Sequence, residues 1–124
     1  MMAVVGLINR MLPLLPAEEV LWSSPATRCP PEGLSVGGTT YLTSLRFAFV
    51  PNRLSPRGRI WATDTSAIKA CSVVPPRGIP YNSLLHSLVA VQLADGEQEC
   101  FRTADPANTV SELSRILRLD GVAG

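Results

Sequence analysis

Gly37-Gly38-Thr39-Thr40-Tyr41-Leu42-Thr43-Ser44-Leu45-Arg46-Phe47-Ala48-Phe49-Val50-Pro51 is the stretch whose pattern decides the fold. It reads as two β-rich runs joined at Ser44-Leu45. In the first run Thr40 and Leu42 share one face, with Thr39, Tyr41 and Thr43 on the other. In the second, Phe47 and Phe49 alternate with Ala48 and Val50. A period of two among threonine, aromatic and β-branched residues marks strands that are half-buried on a pleated surface. Gly37-Gly38 before the pair and Pro51 after it punctuate both ends. The pattern predicts a hairpin in the interior of a sheet.

Working outward, Val20 to Arg28 reads as a first strand, and Pro25 in it predicts an edge position or a bend. Residues 29–38 form a loop rich in proline and glycine. After the hairpin, residues 51–59 turn the chain into a short strand at Ile60-Trp61-Ala62-Thr63. Asp64-Thr65-Ser66 turns it again, and Ile68 to Val74 is the next strand, stopped by Pro75-Pro76. Residues 77–82 are a second loop. Val89, Val91 and Leu93 alternate in the following strand, Asp95-Gly96 marks a tight hairpin turn, and Gln98 to Arg102 returns with Phe101 pointing inward.

The ending reads as an amphipathic helix. Asp105 can cap it and Pro106 suits its first position. Val110, Leu113 and Leu117 share a face, Arg115 and Arg118 fall near its negative end, and Gly121 is the expected stop. Residues 1–12 predict a short apolar helix, with Val4, Leu7, Ile8 and Met11 on one face and Pro13 and Pro16 ending it. It would pack on its own domain or on a partner. The expected division is an N-terminal apolar extension at 1–16 and one domain at 17–120. Strands followed by a single sealing helix define an α+β class with an antiparallel sheet or barrel.

Composition narrows the function classes. The chain has 124 residues, enough for one domain, with 46% hydrophobic and 17% charged residues and a net charge of +1. No global field recruits nucleic acid, and aromatics at 6% do not interleave with arginines as a base-stacking platform would. Cys29, Cys71 and Cys100 are an odd, widely spaced set, neither a disulfide framework nor a zinc pattern, so they read as small buried residues in a reducing compartment. No segment approaches the ~20 apolar residues of a membrane span, and residues 1–15 make a poor secretory signal. The expectation is a cytoplasmic protein with no cofactor and no metal.

In this order the residues resemble the GRAM branch of the pleckstrin-homology-like (PH-like) fold. The resemblance is carried by Glu18-Glu19-Val20-Leu21, by Gly38 to Thr43 with Arg46 to Val50, and by Ile68-Lys69. Asp95-Gly96 ahead of Phe101-Arg102, and Asp105-Pro106, complete it. It covers about residues 17–119 and implies a partly open barrel of about seven strands plugged at one end by the C-terminal helix. It also implies a binding module, not an enzyme, whose relatives bind phosphoinositides, other lipids or proteins.

Two sets of residues could carry such binding. Arg53, Arg57 and Arg59 lie in the loop after the hairpin, and the resembled topology brings Arg28 to the same end. Arginine forks suit phosphate because they donate two bonds to one group. Against this, the Arg-x-Arg of phosphoinositide-binding relatives is replaced by Thr39-Thr40-Tyr41-Leu42-Thr43, and the acidic Asp95-Gly96-Glu97 turn is expected at the same end. The second set is apolar: Ile79 and Tyr81 in the second loop, and Trp22 on an expected edge strand, as interface anchors. A catalytic role is not expected, because His86, the only histidine, has no nucleophile motif around it. The leading expectation is protein interaction, with a second copy as one candidate partner. The alternative is a peripheral membrane module that holds anionic lipid or phosphoinositide headgroups through Arg28, Arg53, Arg57 and Arg59.

Overall fold

The computed structural model describes residues 11–30, 34–53, 59–75 and 87–119. Seven strands come first: β1 (Val20–Arg28), β2 (Val36–Thr43), β3 (Arg46–Pro51), β4 (Trp61–Asp64), β5 (Ile68–Val74), β6 (Leu88–Leu93) and β7 (Gln98–Arg102). Helix α1 (Pro106–Leu117) follows. The strands form one sheet in the order β4-β3-β2-β1-β7-β6-β5, every pairing antiparallel. The sheet is open, with β4 and β5 at its edges, and α1 packs on β5 and β6. This is the α+β architecture expected, strands first and a single sealing helix last.

The alternation in β2 and β3 sorts their side chains as expected. Leu42, Phe47 and Phe49 join the main core with Ala26, Val89, Val91, Phe101 and Leu113. Ala48 and Val50 face the other way and pack with Leu12 and Tyr41. Inside, Phe47 stands edge-on to Phe101 at 5.7 Å between centroids and to Trp61 at 6.0 Å. Burying each such side chain contributes about 1.5–3 kcal/mol, and edge-on pairs of rings add a further increment. Two β-bulges adjust the pattern. One between Ile68 and Ala70 lets both Ile68 and Cys71 turn inward; the other, between Val20 and Trp22, turns Leu21 out, where it is 49% exposed.

Four expectations need correction. First, β1 is not an edge strand: it lies between β2 and β7. Only Thr27 and Arg28 pair with β7, so Pro25 sits where the strand has a single ladder neighbour, which accommodates a residue without an N–H. Second, Gly37 and Gly38 do not precede the hairpin but belong to β2, opposite Thr27 and Ala26. A Cβ on Gly38 would stand 2.2 Å from the Val50 carbonyl oxygen and 2.9 Å from Pro51 Cα, so glycine is needed there for close backbone approach. Third, α1 ends before Gly121. Arg118 takes the left-handed conformation, φ 55°, and the Leu119 N–H closes the end on the Ser114 carbonyl at 3.0 Å.

The fourth correction concerns the N-terminus. Residues 1–10 of the expected helix lie outside the described residues; Met11 and Leu12 are non-helical, and Leu12 is buried on Ala48 and Val50. Asp105 does cap α1, its carboxylate accepting the Asn108 N–H at 3.1 Å.

Candidate functional site

The sheet presents two ends. The first gathers the loops after β1 and β3. Arg28 pairs with Val36 across β1 and β2, and the Asn52 N–H donates to the Gly37 carbonyl at 3.0 Å. Arg28 and Arg53 therefore share this end, as does Arg59, two residues ahead of Trp61. Arg28 is engaged: its Nε donates to Glu99 Oε1 at 2.8 Å, its Nη2 lies 2.8 Å from the same oxygen, and its guanidinium lies 5.5 Å from the Trp61 ring centroid. Because Trp61 also meets Phe101 at 6.2 Å, the Arg28–Glu99 pair roofs the aromatic core. Arg53 and Arg59 are exposed beside Leu34, 88% exposed, and Ile60, 48% exposed. Arg57 lies outside the described residues, as do Ile79, Tyr81 and His86.

The acidic turn expected at this end is elsewhere. The Ala94 N–H donates to the Ala67 carbonyl at 2.7 Å, and the Thr65 N–H to the Leu45 carbonyl at 3.1 Å. These bonds tie the Asp95-Gly96 turn, through the 3-10 turn at Thr65–Ala67, to the β2–β3 turn instead. Trp22 is also placed differently, half-buried against the main core, so its ring serves packing.

The second end surrounds the β2–β3 turn and is organised by one carboxylate. Glu18 accepts from Arg46 Nε at 2.8 Å and Nη2 at 3.0 Å, from the Leu15 N–H at 2.9 Å, and from the Thr43 hydroxyl. Arg46 also reaches the Pro13 carbonyl, and the Ser44 N–H donates to the Glu19 carbonyl. The segment before β1 is thereby clasped to the hairpin. The Glu18 side chain is fully buried, and the Arg46 hydrogen bonds hold its carboxyl down at about 2, against a usual value of 4.5. Around the clasp Leu14, Leu15, Val20, Leu21 and Leu45 are 40–51% exposed. Beside them a cleft of about 310 Å³ opens between Leu21, Thr43, Ser44, Ser66, Ile116 and Leu117.

Sequence reasoning did not find the clasp, because Glu18, Thr43 and Arg46 meet only once β1 and β2 pair. The one available signal was a carboxylate directly ahead of a strand whose partner strand ends in a polar turn. Among the described residues no group of three or more histidine, cysteine, aspartate or glutamate side chains could hold a metal. No described helix is long and apolar enough to cross a membrane.

One sheet of seven antiparallel strands with a single C-terminal helix is a PH-like arrangement. Solved structures agree. The chain is similar to the C-terminal domain of an unknown protein from Leishmania infantum, with TM-score 0.63 and 10% identity over 83% of this chain and 87% of that one. It is also similar to the hSac2 domain from human phosphoinositide phosphatase Sac2, with TM-score 0.58 and 10% identity over 84% of this chain and 70% of that one. At such identity the likeness is one of fold. No protein-family model and no curated protein matches the sequence.

Proposed function

We propose that this chain is a non-catalytic PH-like binding module of the GRAM type that docks a protein partner at its β2–β3 end. The observation that carries this is the distribution of exposed apolar surface. Of nine large apolar side chains exposed among the described residues, five ring the clasp: Leu14, Leu15, Val20, Leu21 and Leu45. Leu21 among them also lines the cleft. Apolar surface concentrated beside a rigid, hydrogen-bonded frame is what a protein interface needs, since the frame loses little freedom on binding. The first partner to test is a second copy of the chain. Light scattering over a dilution series should show an assembly that Leu45→Asp and Leu21→Asp dissolve and that Leu34→Asp leaves intact. Assembly untouched by both clasp-end variants counts against the surface.

A second reading has its own support at the other end. Arg53 and Arg59 are exposed at the same end as the exposed Leu34 and Ile60, basic and apolar groups together as an anionic bilayer requires. One of the similar structures is itself a domain of a phosphoinositide phosphatase. On this reading the protein sediments with vesicles containing phosphatidylserine or a phosphoinositide but not with neutral ones. Salt and the double change Arg53→Ala, Arg59→Ala both weaken the binding. Equal recovery with neutral and anionic vesicles removes this reading.

A further inference from the structure

The β1–β7 seam is the narrowest in the sheet, with Thr27 opposite Arg102 and Arg28 opposite Phe101 as its ladder pairs. One step further along the same register stands Cys29 opposite Cys100, and the Cys29 N–H donates to the Cys100 carbonyl at 2.9 Å. Residues joined in this way across antiparallel strands have Cα atoms about 5.5 Å apart and side chains on the same face. A disulfide spans Cα separations of about 4.4–6.8 Å and Cβ separations of about 3.5–4.5 Å. Opposed Cβ atoms of a hydrogen-bonded pair stand at roughly 5.5 Å, so closing the bond draws β1 and β7 together by about 1 Å. Both side chains belong to one apolar cluster with Leu88, Ala90 and Val74, on the face turned away from the aromatic core. Their sulfurs have separate contacts in this structure: Cys29 Sγ donates to the Thr27 carbonyl at 3.5 Å, and Gln98 Nε2 donates to Cys100 Sγ at 3.6 Å.

We propose that Cys29 and Cys100 are a reversible redox pair whose disulfide staples β1 to β7, formed by exchange with a low-molecular-weight disulfide. Cys29 reacts first, being half-buried where Cys100 is 5% exposed. Its thiolate attacks one sulfur of the small disulfide, that S–S bond breaks, and one small thiolate leaves. The Cys100 thiolate then attacks the Cys29 sulfur. The mixed disulfide breaks and the second small thiolate leaves. Two protein thiols lose two electrons, one small disulfide gains them, and the two protein protons pass to the released thiolates. Cys71 takes no part: it sits in the main core, 1% exposed, and burial pushes its thiol up to about 11.

The test uses the whole chain in oxidised glutathione, read by intact mass and by non-reducing peptide mapping. The expected result is loss of two thiol hydrogens and one peptide joining Cys29 to Cys100, reversed by dithiothreitol. It should persist in Cys71→Ser and vanish in Cys29→Ser and in Cys100→Ser. Because Cys100 is buried, Cys29→Ser at the half-buried position decides should Cys100→Ser fail to fold. The bridged form should melt about 5 °C or more above the reduced form, because the bridge closes a long loop. Glutathione retained on Cys29 with no internal bridge, a bridge that uses Cys71, or an unchanged or lower Tm overturns the proposal.

Discussion

Each end of the sheet is built on an arginine–carboxylate pair distant in sequence, yet the two pairs differ in what surrounds them. At the β2–β3 end Glu18 spends both oxygens on four donors, its side chain fully buried. At the loop end Glu99 holds Arg28 through one oxygen, and their side chains remain 17% and 27% exposed. A carboxylate satisfied on every side cannot release its arginine without leaving buried groups unpaired, so the clasp is structural. A carboxylate that keeps some contact with water and spends one oxygen leaves less unpaired when its pair opens, so Arg28 can exchange Glu99 for another anion at lower cost than Arg46 can leave Glu18. The contrast teaches that arginine content alone does not show which arginine is open to an anion; the state of the partner carboxylate does.

The largest perturbation removes the ground on which both ends stand. Leu113 is 1% exposed and seals the core from α1, so Leu113→Asp should abolish the cooperative thermal transition. A cooperatively folded variant would show that the helix does not close the sheet. Gly38→Ala comes next, since its methyl would drive into the β3 backbone; the expected loss is about 3 kcal/mol or more in denaturant unfolding. A loss below about 1 kcal/mol would mean that β2 and β3 separate freely.

Acid separates the two ends directly. Because folding depresses the Glu18 carboxyl, its stabilising contribution is complete above pH 4.5 and is lost as pH falls towards about 2. Wild type should therefore lose Tm across that window, and Glu18→Gln should start lower and show a flatter profile there. Identical profiles would place the acid sensitivity elsewhere. Glu99→Gln should cost roughly 1 kcal/mol or less, and a larger loss than for Glu18→Gln would reverse the ranking of the two pairs. Asp105→Ala should cost a comparably small amount, about 0.5–2 kcal/mol for a lost helix cap, with both ends unchanged.

Much of this architecture was legible in the chain because period-two alternation and helix capping are local signals. Phe47, Phe49, Phe101 and Leu113 could be assigned inward from neighbours in sequence, and Asp105-Pro106 announced α1. What escaped was non-local. The gap beside Pro25 depends on where β7 joins, and the demand for glycine at 38 depends on how closely β3 approaches. The helix stop at Arg118 is the one local exception, set by bonds back to Ser114 and Arg115 that the more visible Gly121 disguised. The surfaces were harder still. Arg28 looked available until Glu99 was seen beside it, and Trp22 looked like an anchor until it was seen on the core. Leu21 is turned outward by a bulge that no spacing rule reveals. The Glu18 clasp needs residues 28 positions apart, invisible before strand pairing.

The claim that the β2–β3 end is the docking surface is tested most directly by photo-crosslinking in cells, with a diazirine amino acid at position 45 and, separately, at position 34. The account predicts a discrete protein adduct at 45, abolished by Leu21→Asp, and no protein adduct at 34. Lipid adducts at 34 with none of any kind at 45 would contradict it and move the function to the arginine-bearing loops.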